Sequence, residues 1–303
     1  MITNCPICNS SSYTVYYNEL PNYKYASIVQ CSVCHHLYSR ITADIDLDKL
    51  YDDEVYKIVE NRGSIFDKIL NWEYNRVIKQ INSFKPQKGN LLDFGCGKGK
   101  FGWLASKNNW QVKCVETSES RSEYAKTVYN LDVNTEFFNG GRIFEITFDV
   151  ITLFHVLEHL PQPQKLLDAL AKDNLKEKGI LVIEVPNIKS WQAAFSKEKW
   201  IHLDVPRHIN HFTAERLKSM MEEIGFTTIR TSFFSFHLGV LGMLDSLLKL
   251  FGYKKNIIFE LKNKKSLKLL LQIILVIPIA ILLESIAALI GKGGVIRMYL
   301  TYK

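Results

Sequence analysis

The residues best suited to chemistry stand in three groups along the 303-residue chain. Cys5-Pro-Ile-Cys8 and Cys31-Ser-Val-Cys34 are two Cys-x-x-Cys turns. Asp93-x-Gly95-x-Gly97-x-Gly99 is a glycine-rich turn headed by a carboxylate, and Glu116 follows 19 residues beyond Gly97. Histidines gather downstream as His155, His159, His202, His208 and His211. Each group has its own chemistry. Four thiolates in two turns suit tetrahedral zinc with every position filled, which makes a structural rather than a catalytic metal. A thioredoxin-like redox pair is the alternative for a single Cys-x-x-Cys, but a doubled one at this spacing favours zinc. Glycines let a ligand come close to the backbone, and histidine is the natural base near neutral pH.

Two cofactors compete for the glycine loop. The segment Leu91–Phe94 is a buried-strand pattern running into the turn and then a helix. Read as Gly97-x-Gly99-x-x-Gly102, the loop fits a dinucleotide fingerprint with helix amides facing a pyrophosphate. Read from Asp93, it places a carboxylate where it would repel a pyrophosphate but suit the cationic amino-acid end of S-adenosylmethionine. Glu116, at the end of the next strand, can accept both hydroxyls of a ribose under either reading.

The elements needed to hold these groups alternate in type. Helix is expected through much of 46–85, then strands near 91–94, 111–115, 133–138, 148–154, 180–186 and 227–236. Helical stretches near 100–108, 119–130, 164–175 and 213–224 fall between them, with Gly179 and Gly225 at helix-to-strand joints and Thr213 as an N-cap. Tyr13, Tyr16, Tyr17, Tyr23 and Tyr25 alternate like a hairpin between the two cysteine turns, which completes a zinc ribbon. His35 and His36 beside the last turn read as surface residues. The expected domains are a ribbon at 1–45, an α/β domain at 46–237, a basic and apolar helical insertion at 238–294, and a last strand at 295–303.

Asp93–Gly99 resembles motif I of the class I S-adenosylmethionine-dependent methyltransferases. Phe148–Pro161 resembles their strand-four motif and Gly179–Asn187 their strand five, so the resemblance covers about 88–230. The ribbon ahead of this domain, and the run Asp204–Thr213, look like a bacterial small-molecule subgroup associated with glycan, lipid or quinone modification. The resemblance implies a Rossmann-like, doubly wound seven-stranded α/β sheet of order 3-2-1-4-5-7-6, closed by Val295–Tyr302. It also implies that Asp93, Gly95, Gly97 and Gly99 line the methionine portion of the donor, Glu116 its ribose and Asn139 its adenine, with Phe154 and His155 beside the sulfonium. His155 is then the best-placed base. His208 sits in a loop that relatives hold over the pocket, and His159 is a further candidate. The quinone-ring O-methyltransferases bind a divalent metal through Glu-x-x-Glu-His here; this chain has His155 in place of the first Glu, which favours a structural Glu158-His159 pair and leaves a His/Glu/His metal site as the lesser alternative.

Charge narrows the partners. Residues 1–237 carry 28 basic and 28 acidic side chains, and the whole net charge of +7 lies in 238–303, where ten basic residues meet Asp245, Glu260 and Glu284. A neutral body argues against an RNA methyltransferase that reads nucleic acid through its ribbon. A non-catalytic cofactor-binding adaptor is the other alternative, and the complete donor motifs count against it. The expected activity is methyl transfer, to oxygen, on a small-molecule, glycan, lipid-linked or quinone-like acceptor. Cys5 follows Met1 too soon for an apolar leader, so reducing cytoplasm is expected. Leu269–Leu283, apolar but for Gln272, follows six lysines within fifteen residues, an arrangement that suits an anionic membrane surface.

Overall fold

The computed structural model describes residues 1–18, 20, 23–43, 63–253, 257, 260 and 267–302. Two compact units form: the first from Met1–Lys57, Pro186–Arg216 and Ser232–Ile296, the second from Ile58–Val185, Leu217–Thr231 and Arg297–Lys303. The helical reading of 46–62 and the lysines Lys254, Lys255, Lys262, Lys264 and Lys265 lie outside the described residues.

The first unit begins with a hairpin. Strands β1 (Tyr13–Tyr17), β2 (Ala26–Cys31) and β3 (Leu37–Ile41) pair antiparallel in order, and β3 continues onto the short strand Asn210–His211 (β9) through Leu37↔His211 and Tyr38↔Asn210. So small a sheet cannot bury a core from its own side chains. Ile28, Leu37 and Ile41 therefore pack with Ile188, Ala193, Trp200, Leu203 and Val205, more than 140 residues further along the chain. His36, expected at the surface, is fully buried: its ring lies 5.2 Å from that of Phe212, and its Nε2 donates to Asn210 Oδ1 at 3.0 Å. Burial lowers its pKa to about 4, so it is neutral. Among the other described residues of this unit, α5 (Trp191–Ser196), α7 (Leu241–Leu250) and α8 (Leu267–Leu289) share an apolar cluster around Met243, Leu244, Leu248 and Ala280.

The second unit is a Rossmann-like, doubly wound sheet. Its strands are β4 (Asn90–Phe94), β5 (Gln111–Val115), β6 (Asp132–Asn134), β7 (Phe148–Phe154), β8 (Leu175–Pro186), β10 (Phe226–Ser232) and β11 (Val295–Tyr302). Their spatial order is β10-β11-β8-β7-β4-β5-β6, the expected order with Val295–Tyr302 as the inserted closing strand. Helices α1 (Ile65–Phe84), α2 (Lys100–Lys107), α3 (Glu119–Tyr129), α4 (Pro163–Asn174) and α6 (Ala214–Glu223) supply the connections. Ser64 caps α1 by accepting from the Asp67 amide, and Thr213 caps α6 from the Arg216 amide. Val77, Ile78 and Ile81 of α1 pack with Leu91, Val150 and Val182 of the central strands.

Three expectations move, the first being the strand expected at 227–236, which closes at Ser232. The strand expected at 133–138 closes at Asn134, where the Asn134 side chain accepts from the Glu136 amide and starts a turn. Gly179 lies inside β8 rather than at its start, because β8 pairs with β7 first at Leu175↔Phe148, is irregular, and resumes at Ile180↔Val150.

Candidate functional site

In an open α/β sheet the ligand crevice lies beyond the carboxyl ends of the strands where their order reverses. Here that point is the β4–β7 pair, from which β5 and β6 run one way and β8 the other. Asp93 and Thr152 face each other across it in register, and Thr152 Oγ1 donates to Asp93 Oδ1 at 2.8 Å. Asp93 Oδ2 is buried with no hydrogen-bond partner. Burial raises the pKa of this carboxyl to about 7. A buried acceptor left open at a strand end is an attachment point for a cationic or hydrogen-bonding group.

The glycine loop that follows is shaped by contacts on both sides. Gly95 has φ +76°, and a Cβ there would lie 2.5 Å from Val156 Cγ2, so the loop presses against the residue that follows His155. Gly97, at φ +55°, has nothing within 4 Å of where a Cβ would be, so its face is open to a ligand. Its amide donates to Glu116 Oε2 at 2.8 Å, while Glu116 Oε1 accepts from the Ser118 amide at 2.8 Å. Glu116 is thus fixed by two backbone donors against the loop, and the sequence spacing between Gly97 and Glu116 is realised as a direct contact. Gly102, third glycine of the dinucleotide pattern, lies on α2 with its Cβ direction 3.1 Å from Cys114 Sγ, a helix-to-sheet packing position. Asn139 is exposed in the loop after β6.

Phe154 ends β7 and packs edge-on to Phe101 at 4.8 Å and stacks with Tyr74 at 6.2 Å. His155 follows with φ +57°. Its Nδ1 is 3.1 Å from Glu158 Oε1 and its Nε2 is 2.9 Å from Glu184 Oε1. Burial works to discharge the ring, but the two carboxylates outweigh it and hold its pKa up to about 10. With both nitrogens donating to carboxylates, His155 is an imidazolium at neutral pH and has no lone pair with which to take a proton. Glu184 in turn pairs with Arg297 on β11, and Arg297 Nη2 donates to Glu73 Oε1 of α1 at 3.0 Å. These residues were absent from the sequence reading. The signal was there: Glu184 and Arg297 each interrupt an otherwise apolar strand, Ile180–Val185 and Val295–Leu300. His159 stands in the 3-10 turn Leu157–His159, half-buried.

The other candidates lie in the first unit. His208 Nδ1 donates to the His202 carbonyl at 2.8 Å, which makes Nε2 its basic nitrogen, and Asp204 Oδ2 is 3.8 Å from that Nε2. Ser39 of β3 donates from Oγ to the His208 carbonyl at 2.7 Å, and its amide donates to the Ile209 carbonyl at 2.8 Å. Ser39 Oγ also meets His211 Nε2 at 2.9 Å. The ribbon therefore holds the His208–His211 run directly.

Cys5, Cys8, Cys31 and Cys34 bring four sulfurs within 4.8 Å of one another, with Cys5–Cys34 and Cys8–Cys31 each at 3.5 Å. Four ligands 2.3 Å from one zinc would be about 3.8 Å apart, so the cage has the right size. The two turns repeat one design. The Asn9 amide donates to the Cys5 carbonyl and the His35 amide to the Cys31 carbonyl, and both Asn9 and His35 adopt positive φ.

Comparison with known proteins agrees with this geometry. The chain is 33% identical over 114 residues to a mitochondrial ubiquinone biosynthesis O-methyltransferase of Schizosaccharomyces pombe, covering 35% of this chain and 40% of that protein. It is 26% identical over 162 residues to a ubiquinone biosynthesis O-methyltransferase of Hydrogenovibrio crunogenus, covering 49% of this chain and 65% of that one. The matches thus span less than two thirds of either relative. The solved structure of the plantazolicin methyltransferase BpumL in complex with SAH shares the fold at a TM-score of 0.52 and 14% identity, over 85% of this chain and 93% of that one. A family model described as a methyltransferase domain matches residues 66–231, more than half of the sequence, and the chain belongs to that family.

Proposed function

We propose that this protein transfers the methyl group of S-adenosylmethionine to an oxygen of a small acceptor, quinone-like or a lipid-linked glycan, in the cytoplasm. The observation that carries the reading is the pairing of an open buried carboxylate, Asp93, with a second carboxylate, Glu116, held by the Gly97 amide of an open glycine loop. That arrangement suits a ligand with a cationic end and a diol, and opposes a pyrophosphate. The names of the two quinone-pathway relatives favour oxygen and a quinone-like ring.

The donor supplies an activated methyl group on a sulfonium, so the protein's task is to place the acceptor in line and keep water out. Asp93 and the Gly95–Gly99 turn would hold the amino-acid end, Glu116 the ribose, and Asn139 the adenine side. His155, held as a cation, fixes the strand end beside them. Removal of the acceptor's hydroxyl proton falls to His208 or His159, with His208 favoured by its oriented tautomer. Zinc held by Cys5, Cys8, Cys31 and Cys34 would be structural, since four sulfurs leave no position for substrate.

Calorimetry with S-adenosylmethionine, S-adenosylhomocysteine and NADH tests the cofactor. Binding of the first two without the third is the expected result, and the reverse would overturn the reading. Incubation with methyl-labelled donor and fractionated cell extract then identifies the acceptor class.

A further inference from the structure

Helix α8 is built with two opposed faces. Leu269, Ala280, Glu284 and Ala287 form its inner face and are buried within the first unit. Glu284 is the anchor. Its Oε1 accepts from the Gly294 amide at 2.7 Å and its Oε2 from Gln192 Nε2 at 3.3 Å. Gly239 leaves the room this carboxylate occupies, since a Cβ there would lie 2.4 Å from Glu284 Oε1. Gln192 itself is held by Trp200 Nε1, which donates to its Oε1 at 3.0 Å. The helix is therefore fastened along one side by a buried polar network as well as by apolar packing.

Among the described side chains, the outer face carries no charge. Leu267, Leu271, Leu275, Leu282 and Leu289 recur at helical spacing and are each more than half exposed, Leu275 at 74% and Leu289 at 87%. Leu250 and Phe251, at the end of α7, are exposed at 60% and 77%. An apolar stripe along a 23-residue helix is far more than the scattered surface leucines of an ordinary soluble protein.

The sequence says what should cover it. Between Phe251 and Leu269 stand Lys254, Lys255, Lys262, Lys264, Lys265 and Lys268 with a single acid, Glu260. By charge, such a run complements an anionic lipid surface and not a second copy of the same basic segment. The helix segment Leu269–Leu289 is long and apolar enough to cross a bilayer. Crossing, however, would surround it with lipid and strip Glu284 from its partners, at the cost of an uncompensated buried polar group.

We infer that α8 is a one-sided membrane dock: its outer leucine stripe seats in the interface of an anionic bilayer, and its Glu284 face stays on the protein. This goes beyond the methyl-transfer reading and does not depend on it, since lipid binding is read without donor or acceptor.

The test is flotation of the full chain with vesicles of phosphatidylcholine alone and with phosphatidylglycerol added. The protein should float only with the anionic vesicles, come off in high salt, and be released by alkaline carbonate. Replacing Lys254, Lys255, Lys264 and Lys265 by Gln should weaken partition by about fivefold for each lysine. Leu275→Glu, at an exposed position that leaves the fold intact by circular dichroism, should lower flotation by at least about tenfold. Three results would overturn the proposal: no flotation by a folded protein at low salt, retention through carbonate extraction, or self-association in lipid-free buffer that Leu275→Glu abolishes.

Discussion

Arg297 on the closing strand and Glu184 at the end of β8 form a buried ion pair, and Glu184 passes that support to His155 Nε2 at 2.9 Å. The last strand of the chain thereby braces the end of the fourth strand of the sheet, next to the glycine loop. Removing one partner of a buried pair leaves the other charge uncompensated. Arg297→Met should destabilise the protein by about 3–5 kcal/mol, measured by urea denaturation, because Glu184 and Glu73 would both lose their cation. Arg297→Lys should recover part of that loss, its single ammonium replacing a planar fork.

Stability should depend on His155 with a definite sign. Its pKa is raised from 6.5 to about 10, so the charged form is favoured in the folded state. The stabilisation is complete below about pH 6.5 and disappears as pH rises through about 10. The difference in unfolding free energy between the native protein and His155→Gln should shrink across that window. A ring resonance of His155 followed by NMR should still report imidazolium at pH 8.

Donor affinity should respond to Asp93. Burial raises its pKa to about 7, and a cationic ligand end selects the ionised carboxylate. The binding constant for S-adenosylmethionine should therefore increase as pH climbs through about 7 and level off above it. Asp93→Asn should weaken binding by about 1.5–3 kcal/mol and flatten the pH dependence, as calorimetry would show.

Metal loss should be felt in the His208–His211 run. Elemental analysis should find one zinc per chain, and Cys31→Ser should lose it. Because β3 pairs with β9 and Ser39 holds the His208 carbonyl, chelation should expose the amides of 209–212 to hydrogen exchange. Residues 90–94 of β4, in the other unit, should keep their protection.

Proton abstraction can be assigned by comparing variants. His208→Ala and His159→Ala should be tested with methyl-labelled donor, and the base should lower kcat by about 100-fold or more with donor affinity kept. His155→Gln should instead perturb stability as well.

What the sequence determined by itself is local or periodic. Two Cys-x-x-Cys turns closed into one cage because each turn is a short-range design. The alternation of apolar strands with amphipathic helices sufficed for the sheet between 90 and 186. The spacing from Gly97 to Glu116 is the length of one helix and one strand, so it could be read before the contact was seen. Tertiary structure alone decided which charges meet. His155 reads as a free base in sequence, and it becomes a cation because Glu158, three residues on, and Glu184, 29 residues away with Arg297 behind it, both meet its ring. His36 reads as a surface residue beside a metal turn, and it is buried because β9 returns from residue 210 to lie against β3. The physical reason is common to both cases. A pKa or a burial is set by everything within a few ångströms, and chain distance does not report on that.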